Sequence, residues 1–354
     1  MTHFFDGHLD LAMLVERGRD LHAPLDQCRG SLLPAAVTFG SLDEGNVRQC
    51  LATIFTQNCP PDSDSLEHAY AYPEGDALAA YRAGMRQLKL YHAWHDAGLI
   101  ELMPRRGEDT PARERTSLEG HATERTPLVA GILMESADPI VAPDELKDWA
   151  NAGVIAVGMA WHRSSRYAGG NGSANDPITD PGRELVRTID ELNLVHDASH
   201  LSQRSLDQLL ELTDRPIMAS HSNSRTVLGV DEHRHLSDDA ITEIARRGGV
   251  IGINLVRNFL SPDLAKKPRP SPGDATIEQV CDHIDHVCAL TGDRAHVALG
   301  SDMDGGITAD DLPKGIDTPS DLRKITSMLK GRGWSDDELI GFSHGNWERF
   351  WSGA

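Results

Sequence analysis

The stretch Phe4-Phe5-Asp6-Gly7-His8-Leu9-Asp10 is a short apolar run that ends in polar side chains. Because the side-chain period of a β-strand is two, His8 and Asp10 are predicted to share one face while Leu9 packs on the other. An imidazole and a carboxylate that point together from a strand end suit a divalent metal such as zinc. Since His-x-Asp also occurs by chance, the pair gains weight only if later strands end in further ligands.

Seven more runs rich in Val, Ile, Leu or Ala follow the first one. They are continuous rather than alternating, which is typical of buried strands in a parallel sheet. The predicted strands span residues 49–56, 128–135, 153–161, 192–199, 216–220, 248–256 and 296–301. With the first run they make eight.

Helix signals stand in most of the gaps between these strands. A helix is predicted over 76–98, and further start signals are read at Asp180-Pro181, at Ser237, and at the capping boxes Ser205-x-x-Gln208 and Thr276-x-x-Gln279. Eight alternating units favour a closed (β/α)8 TIM barrel, with its site at the C-terminal face of the strands. An open doubly wound sheet is the alternative, but it expects a glycine-rich phosphate turn where Asp6-Gly7-His8 stands.

The chain has 354 residues, more than a usual single domain unless the fold is a barrel. One barrel domain over 1–354 is therefore predicted, and two domains are the alternative that length alone leaves open. Two stretches exceed a minimal barrel and are predicted to be loop excursions, near 105–126 and 163–181. The second is glycine-rich and follows a strand, so it is predicted to cover a substrate.

Composition excludes some partners. The net charge of −20 would repel nucleic acid and anionic membrane surfaces. The five cysteines show no Cys-x-x-Cys spacing, so they are predicted to be reduced thiols. No signal sequence and no run of about 20 apolar residues occurs, which predicts a soluble, cytoplasmic protein.

The residues that end the predicted strands are mostly metal-compatible. They are His8, Asp10, Glu135, His162, His200, His221, Asp302 and Asp304. In a closed barrel these side chains converge on one mouth. Five or six ligands exceed one catalytic zinc and suit two ions that share a carboxylate. Many dinuclear hydrolase barrels use a carbamylated lysine as the shared ligand. Here the only lysine between Lys89 and Lys266 is Lys147, which lies in the helical-looking segment 143–150. Glu135 is therefore the available bridging anion.

Five motifs carry a family resemblance. They are Asp6-Gly7-His8-Leu9-Asp10-Leu11, Asp197-Ala198-Ser199-His200-Leu201-Ser202, the segment 215–225 with Ser220-His221-Ser222-Asn223, Arg247-Gly248-Gly249-Val250-Ile251-Gly252, and Gly300-Ser301-Asp302-Met303-Asp304-Gly305. In this order and spacing the chain resembles the membrane (renal) dipeptidase family of zinc peptidases, peptidase family M19, within the amidohydrolase-like superfamily.

The resemblance implies two Zn²⁺ ions and roles for named residues. His8, Asp10 and Glu135 would hold one ion, and Glu135, His200 and His221 the other. His162 would contact the substrate near the scissile carbonyl and serve as a catalytic residue that steadies the oxyanion. Arg234, a planar fork suited to a carboxylate, would bind the substrate's free carboxylate. Asp302 would bind substrate and move the proton. Asp304, which points to the same face as Asp302 in an extended strand, is the rival for that role.

The expected function is a zinc-dependent dipeptidase that cleaves the amide bond of small-molecule dipeptides, including those with a C-terminal D-residue, through a hydroxide between the metals. The segment 159–167 around His162 departs from the family pattern, so a barrel amidohydrolase acting on an N-acyl amino acid or another small amide or ester is an alternative. A non-catalytic metal-binding barrel is a second one. The native metal stays open, as does the oligomeric state, a homodimer among the options.

Overall fold

A computed structural model describes residues 2–108, 126–230, 232–266, 271 and 273–353. Eight short strands form its central sheet: β1 Phe4–Leu9, β2 Val47–Ile54, β3 Leu128–Met134, β4 Val154–Gly158, β5 Val195–Asp197, β6 Ile217–Met218, β7 Ile251–Ile253 and β8 Val297–Leu299. All eight predicted strands are confirmed. Seven lie inside the predicted runs, and β2 begins at Val47 rather than at residue 49.

The strands pair in parallel and in chain order from β1 to β6. A single parallel bridge between Ala219 and Ile251 continues the sheet to β7, which pairs with β8. Side chains close the seam between β8 and β1, because the Asp6 carboxylate accepts a 2.8 Å hydrogen bond from the backbone N–H of Ser301 and another from its hydroxyl. The curled parallel sheet is thus the predicted α/β barrel of TIM type.

Helices surround the sheet. In chain order they are α1 Leu11–Glu16, α2 Phe39–Glu44, α3 Ala77–Asp96, α4 Leu146–Asn151, α5 Asp180–Glu191, α6 Gln203–Leu212, α7 Arg225–Leu228, α8 Asp238–Arg246, α9 Pro262–Ala265, α10 Ile277–Thr291, α11 Arg323–Gly331, α12 Asp336–Ile340 and α13 Asn346–Ser352. Short 3-10 turns span Leu25–Gln27, Asp64–Glu67, Pro143–Glu145, Arg257–Phe259, Ala309–Asp311 and Pro319–Asp321, and Gly341–Gly345 is a π-helical turn. Two additional strands, Gln57–Cys59 and Ala71–Pro73, pair with each other, and Ile100–Leu102 adds to β3.

The helix starts at Asp76, Ser237 and Thr276 are confirmed, the last with both bonds of its capping box. Two predicted caps are wrong by a few residues. Thr179 caps α5, since its hydroxyl accepts from the N–H of Gly182. Ser202 likewise caps α6 by accepting from the N–H of Ser205, which places Ser205 inside the first turn.

The barrel has one closed end and one open end. At the amino ends of the strands, α13 covers the interior, where Trp347 donates a 2.9 Å hydrogen bond to the backbone oxygen of Leu299. A Cβ at Gly7 would lie 2.6 Å from the Trp347 ring and from the Ser220 oxygen, so glycine is required there. The carboxyl ends of the strands are therefore the end at which a site can form.

Other sequence expectations have mixed outcomes. The excursion 163–181 is a long loop that ends at the start of α5, whereas most of the predicted excursion 105–126 lies outside the described residues. All five cysteines are free thiols. Among the described helices, none is both long and apolar enough to traverse a lipid bilayer. The cellular location stays a prediction.

Candidate functional site

Six predicted site residues meet at the carboxyl ends of the strands. They are His8, Asp10, Glu135, His200, His221 and Asp302, and none is more than 8% exposed. His8 is the penultimate residue of β1, close to the start of α1, and its Nε2 lies 3.7 Å from Asp10 Oδ1 and 3.7 Å from Glu135 Oε2. The barrel thus gathers onto one mouth groups that are up to 294 residues apart, from His8 to Asp302.

Glu135 lies at the centre of this group, directly after β3. Its Oε2 faces His8, while its Oε1 lies 3.2 Å from His200 Nε2 and 3.7 Å from His221 Nε2. The buried His8 Nε2 and Glu135 Oε2 have no hydrogen-bond partner within the described residues. Buried polar atoms of this kind are normally satisfied, so their common orientation suits a cation between them. The donor set of imidazoles and carboxylates fits zinc.

The electrostatics of the group also favour cations. Burial lowers the pKa of His200 and of His221 well below the usual range, and the positive charges of Arg234 and His8 add to the effect. Both imidazoles are therefore neutral, as a metal ligand must be. Burial also lowers the pKa of His8, but the charges of Glu135 and Asp10 outweigh it and raise that pKa to about 10. The same negative field would attract a metal ion.

Hydrogen bonds behind the histidines orient their rings. Ser220 Oγ donates to Asp197 Oδ2 over 2.6 Å and lies 2.7 Å from His221 Nδ1, so it accepts the Nδ1 proton. The amide oxygen of Asn171 lies 2.9 Å from His200 Nδ1 and can only accept. Each ring therefore carries its proton on Nδ1 and directs the Nε2 lone pair into the site. Asp197 and Ser220 stand inside the quoted motifs, and Asn171 in the glycine-rich loop, but sequence reasoning assigned them no role.

The structure separates the two candidate aspartates. Asp302 lies in the site, where its Oδ2 accepts a 2.8 Å hydrogen bond from Asn254 Nδ2, and burial raises its pKa to about 6. Asp304 instead accepts from the Arg19 guanidinium at 2.5 Å and from the backbone N–H groups of Ala36 and Val37. The expectation that both point to one face of an extended strand is wrong, because both have left-handed backbone, with φ of 58° and 62°.

Asn254 is a site residue that sequence reasoning missed. It directly follows β7, whereas the predicted strand ran through it to residue 256. A polar side chain inside an apolar run was the available signal. His200 also has a left-handed φ, of 67°. Non-glycine residues with this conformation are uncommon and concentrate at functional sites.

We expect Asp304→Asn to destabilise the fold by about 3–5 kcal/mol, because it leaves the buried Arg19 guanidinium without its counter-ion. Both side chains are almost fully buried. Urea unfolding of the metal-free protein measures the change. Asp310→Asn, at an exposed position of the same segment, is the matched control and should stay within about 0.5 kcal/mol of the parent. A loss below about 1 kcal/mol in Asp304→Asn would contradict this role.

Arg234 lies in the wall of the site. Its guanidinium donates to the backbone oxygen of His221 over 2.9 Å, lies 3.3 Å from Ser222 Oγ, and stacks 5.3 Å from the centre of the Phe259 ring. A cavity of about 400 Å³ opens beside it, with Glu135, His200 and Asp302 also in its lining. Arg234 is thus buried and faces the cavity, rather than pairing with the surface residues of α8.

The structure does not bring His162 into this cavity. The imidazole is exposed on the far side of Trp161, whose ring lines the cavity instead. Its Nδ1 lies 3.4 Å from the Asn171 amide nitrogen, and Gly172 packs against the ring. A substrate contact by His162 stays a prediction.

A further group of possible ligand type, His3, His344 and Glu348, lies at the opposite end of the barrel. The two imidazoles stack with centres 3.6 Å apart and planes inclined by 22°. Their lone pairs therefore run nearly parallel rather than towards one point, and each ring is already paired with one oxygen of Glu348. The three side chains therefore connect the start of β1 to α13, and these contacts explain why they lie together.

Comparisons with known proteins identify the family of the chain. The family model described as membrane dipeptidase (peptidase family M19) matches residues 1–354. An uncharacterised dipeptidase of Schizosaccharomyces pombe is 29% identical over 213 residues, which are 59% of this chain and 49% of that protein. The chain thus matches about half the length of that relative.

Solved structures share the fold. The metallopeptidase called dipeptidase AC superposes with a TM-score of 0.75 at 22% identity, over 100% of this chain and 99% of its own. A metallopeptidase from Rhodobacter sphaeroides, described as liganded with a phosphinate mimic of the dipeptide L-Ala-D-Ala, gives a TM-score of 0.75 at 22% identity, over 99% of each chain. At this identity the likeness establishes the barrel fold.

Proposed function

The chain belongs to the membrane dipeptidase family, peptidase family M19, and on that premise we propose that it is a metal-dependent dipeptidase with two Zn²⁺ ions. The observation that carries the proposal is the position of Glu135, with one carboxylate oxygen towards His8 and the other towards His200 and His221. A carboxylate in this position suits two ions that share it. On one side Asp10 adds a carboxylate and His8 an imidazole, and on the other side His200 and His221 add two neutral imidazoles.

We assign His8, Asp10 and Glu135 to one ion and Glu135, His200 and His221 to the other. When bound, the ions supply a hydroxide nucleophile near neutral pH and polarise the amide carbonyl. The Nδ1 contacts of His200 and His221 keep their Nε2 lone pairs directed inwards. Thr53 supports the first group, since its hydroxyl donates to Asp10 Oδ1.

The remaining residues bind substrate and move the proton. Arg234 would hold the free carboxylate of the substrate by paired hydrogen bonds, and its burial against Phe259 strengthens such a contact. Asp302, whose pKa burial raises to about 6, suits a group that takes a proton from the nucleophile and delivers it to the leaving amine. Asn254 holds that carboxylate in place.

We extend the proposal to dipeptides with a C-terminal D-residue. The Rhodobacter sphaeroides metallopeptidase described as liganded with a mimic of L-Ala-D-Ala supports this extension only as a protein of the same fold. In this chain a cavity of about 400 Å³, lined by Arg234, Glu135 and Asp302, offers the space for the C-terminal residue. A free carboxylate held at a fixed place beside the scissile bond would limit substrates to short peptides.

The test is a substrate panel assayed with metal analysis. We expect the purified protein to contain divalent metal, to hydrolyse L,L- and L,D-dipeptides, to lose activity on chelation and to regain it with Zn²⁺. The panel includes N-acyl amino acids. Turnover of acylated substrates without turnover of any free dipeptide would reject the dipeptidase and favour the alternative amidohydrolase. Absence of bound metal, with no activity after reconstitution, would reject a metalloenzyme.

A further inference from the structure

A second arginine, Arg17, lines the same cavity. It follows α1, and its guanidinium donates to Ser31 Oγ over 2.8 Å and to the Tyr70 hydroxyl over 2.6 Å. Both partners are neutral, and no carboxylate pairs with this guanidinium within the described residues. In a chain of net charge −20, a cation that faces a cavity without a counter-ion is unusual. Its free donors suit a carboxylate from a ligand.

The surroundings of Arg17 are also suited to an anion. The Tyr70 ring lies 5.9 Å below its guanidinium, and the His68 ring stacks on Tyr70 at 5.2 Å. His68 and Ser65 complete this wall of the cavity with an imidazole and a hydroxyl. The wall therefore combines the positive charge of Arg17 with side chains that can donate hydrogen bonds.

The topology places this wall opposite Arg234. Arg17 belongs to the connection after β1, and Tyr70 and His68 to the one after β2, whereas Arg234 follows β6. In an eight-stranded barrel, connections after the first two strands face those after the fifth and sixth across the mouth. The buried metal-ligand candidates Asp10, Glu135, His200 and His221 line the same cavity as both arginines. A dipeptide whose α-carboxylate is on Arg234 would thus extend its N-terminal residue towards Arg17.

We propose that Arg17, Tyr70 and His68 form a second anion subsite that selects dipeptides whose N-terminal residue carries a carboxylate side chain. This inference rests on the proposed dipeptidase function. Arg17 would be a specificity residue that binds the substrate side chain, and Tyr70 would orient it. The amide bond to be cleaved would lie at the metal-ligand candidates and Asp302 rather than at Arg17. Loss of Arg17 should therefore leave the turnover of uncharged dipeptides unchanged.

Isosteric substrate pairs test the proposal. We expect the wild-type kcat/KM for Glu-Ala to exceed that for Gln-Ala by about 10- to 100-fold, the range that one charge-assisted contact provides. In Arg17→Gln the ratio should fall to about one, with Gln-Ala turnover retained, which also verifies folding. Tyr70→Phe should reduce the ratio in part. Arg82→Gln, at an exposed position of α3, is the matched control and should keep the wild-type ratio.

The outcomes separate this inference from the function on which it rests. Equal turnover of Glu-Ala and Gln-Ala in the wild type would overturn the subsite and leave the dipeptidase standing. A preference that survives in Arg17→Gln would overturn the role of this residue. A preference for Ala-Glu over Ala-Gln in place of the predicted one would overturn its assignment to the N-terminal residue. If the protein cleaved no dipeptide at all, both the proposed function and the subsite would be rejected.

Discussion

Replacing Glu135 with glutamine is expected to weaken the binding of both metal ions by at least about 100-fold and to abolish dipeptide hydrolysis. Loss of a residue that only hydrogen-bonds to a metal ligand lowers metal affinity by up to about 100-fold. The effect should be at least as large for Glu135, which is proposed as a ligand to both ions. Metal content per chain, measured after dialysis against buffer with defined free Zn²⁺, reports the loss. A decrease in both ions together distinguishes a bridge from a ligand to one of them.

The fold should survive this substitution. Glutamine matches glutamate in size and shape, so it fills the same space between His8, His200 and His221. Unfolding of the metal-free parent and variant should therefore be similar. Glu184→Gln, at an exposed position of α5, is the matched control and should bind metal normally. Retention of two tightly bound ions by Glu135→Gln would contradict the bridging role.

Asp302→Asn is expected to lower kcat by about 100- to 10,000-fold, the usual contribution of a positioned acid-base group. The asparagine oxygen can still accept the hydrogen bond from Asn254, so the structure around it should persist. Steady-state kinetics on one dipeptide, together with metal content and urea unfolding, separate loss of chemistry from loss of the site.

Asp304→Asn and Asp310→Asn complete the comparison for Asp302. Asp304→Asn should lose stability while the surviving folded fraction keeps its kcat, because the Asp304 carboxylate binds Arg19 rather than the cavity. Asp310→Asn should change neither property. If Asp304→Asn instead lost activity with full stability, the proton-transfer role would belong to Asp304.

The sequence predicted the barrel because its evidence is local and repeated. Each strand is an apolar run of its own, and side chains at the carboxyl ends of parallel strands meet wherever the sheet closes. The grouping of His8, Asp10, Glu135, His200 and His221 follows from that rule alone. Strand ends were less accurate, since an apolar run continues past the last paired residue, as at β7, where the run concealed Asn254.

Contacts between distant segments could not be predicted in the same way. The partner of Asp304 is Arg19, 285 positions away, and no local pattern links them. The left-handed backbone at Asp302 and Asp304 invalidates the period-two rule that placed both on one face. The position of His162 depends on how the loop 163–181 folds back, through contacts such as that of Gly172 with its ring. That no carboxylate among the described residues pairs with Arg17 becomes visible only when the cavity is known.

The seam between β8 and β1 has a consequence for the order of events during synthesis. Asp6 and Ser301, which close it, are 295 positions apart. A nascent chain emerges amino end first, so β1 must wait for almost the whole protein before this edge is covered. An uncovered strand edge can pair with other chains, and the exposed apolar run at 4–9 would then be vulnerable to aggregation on the ribosome. The last of the assigned metal ligands, His221, follows β6, so metal loading would require at least that strand to be complete.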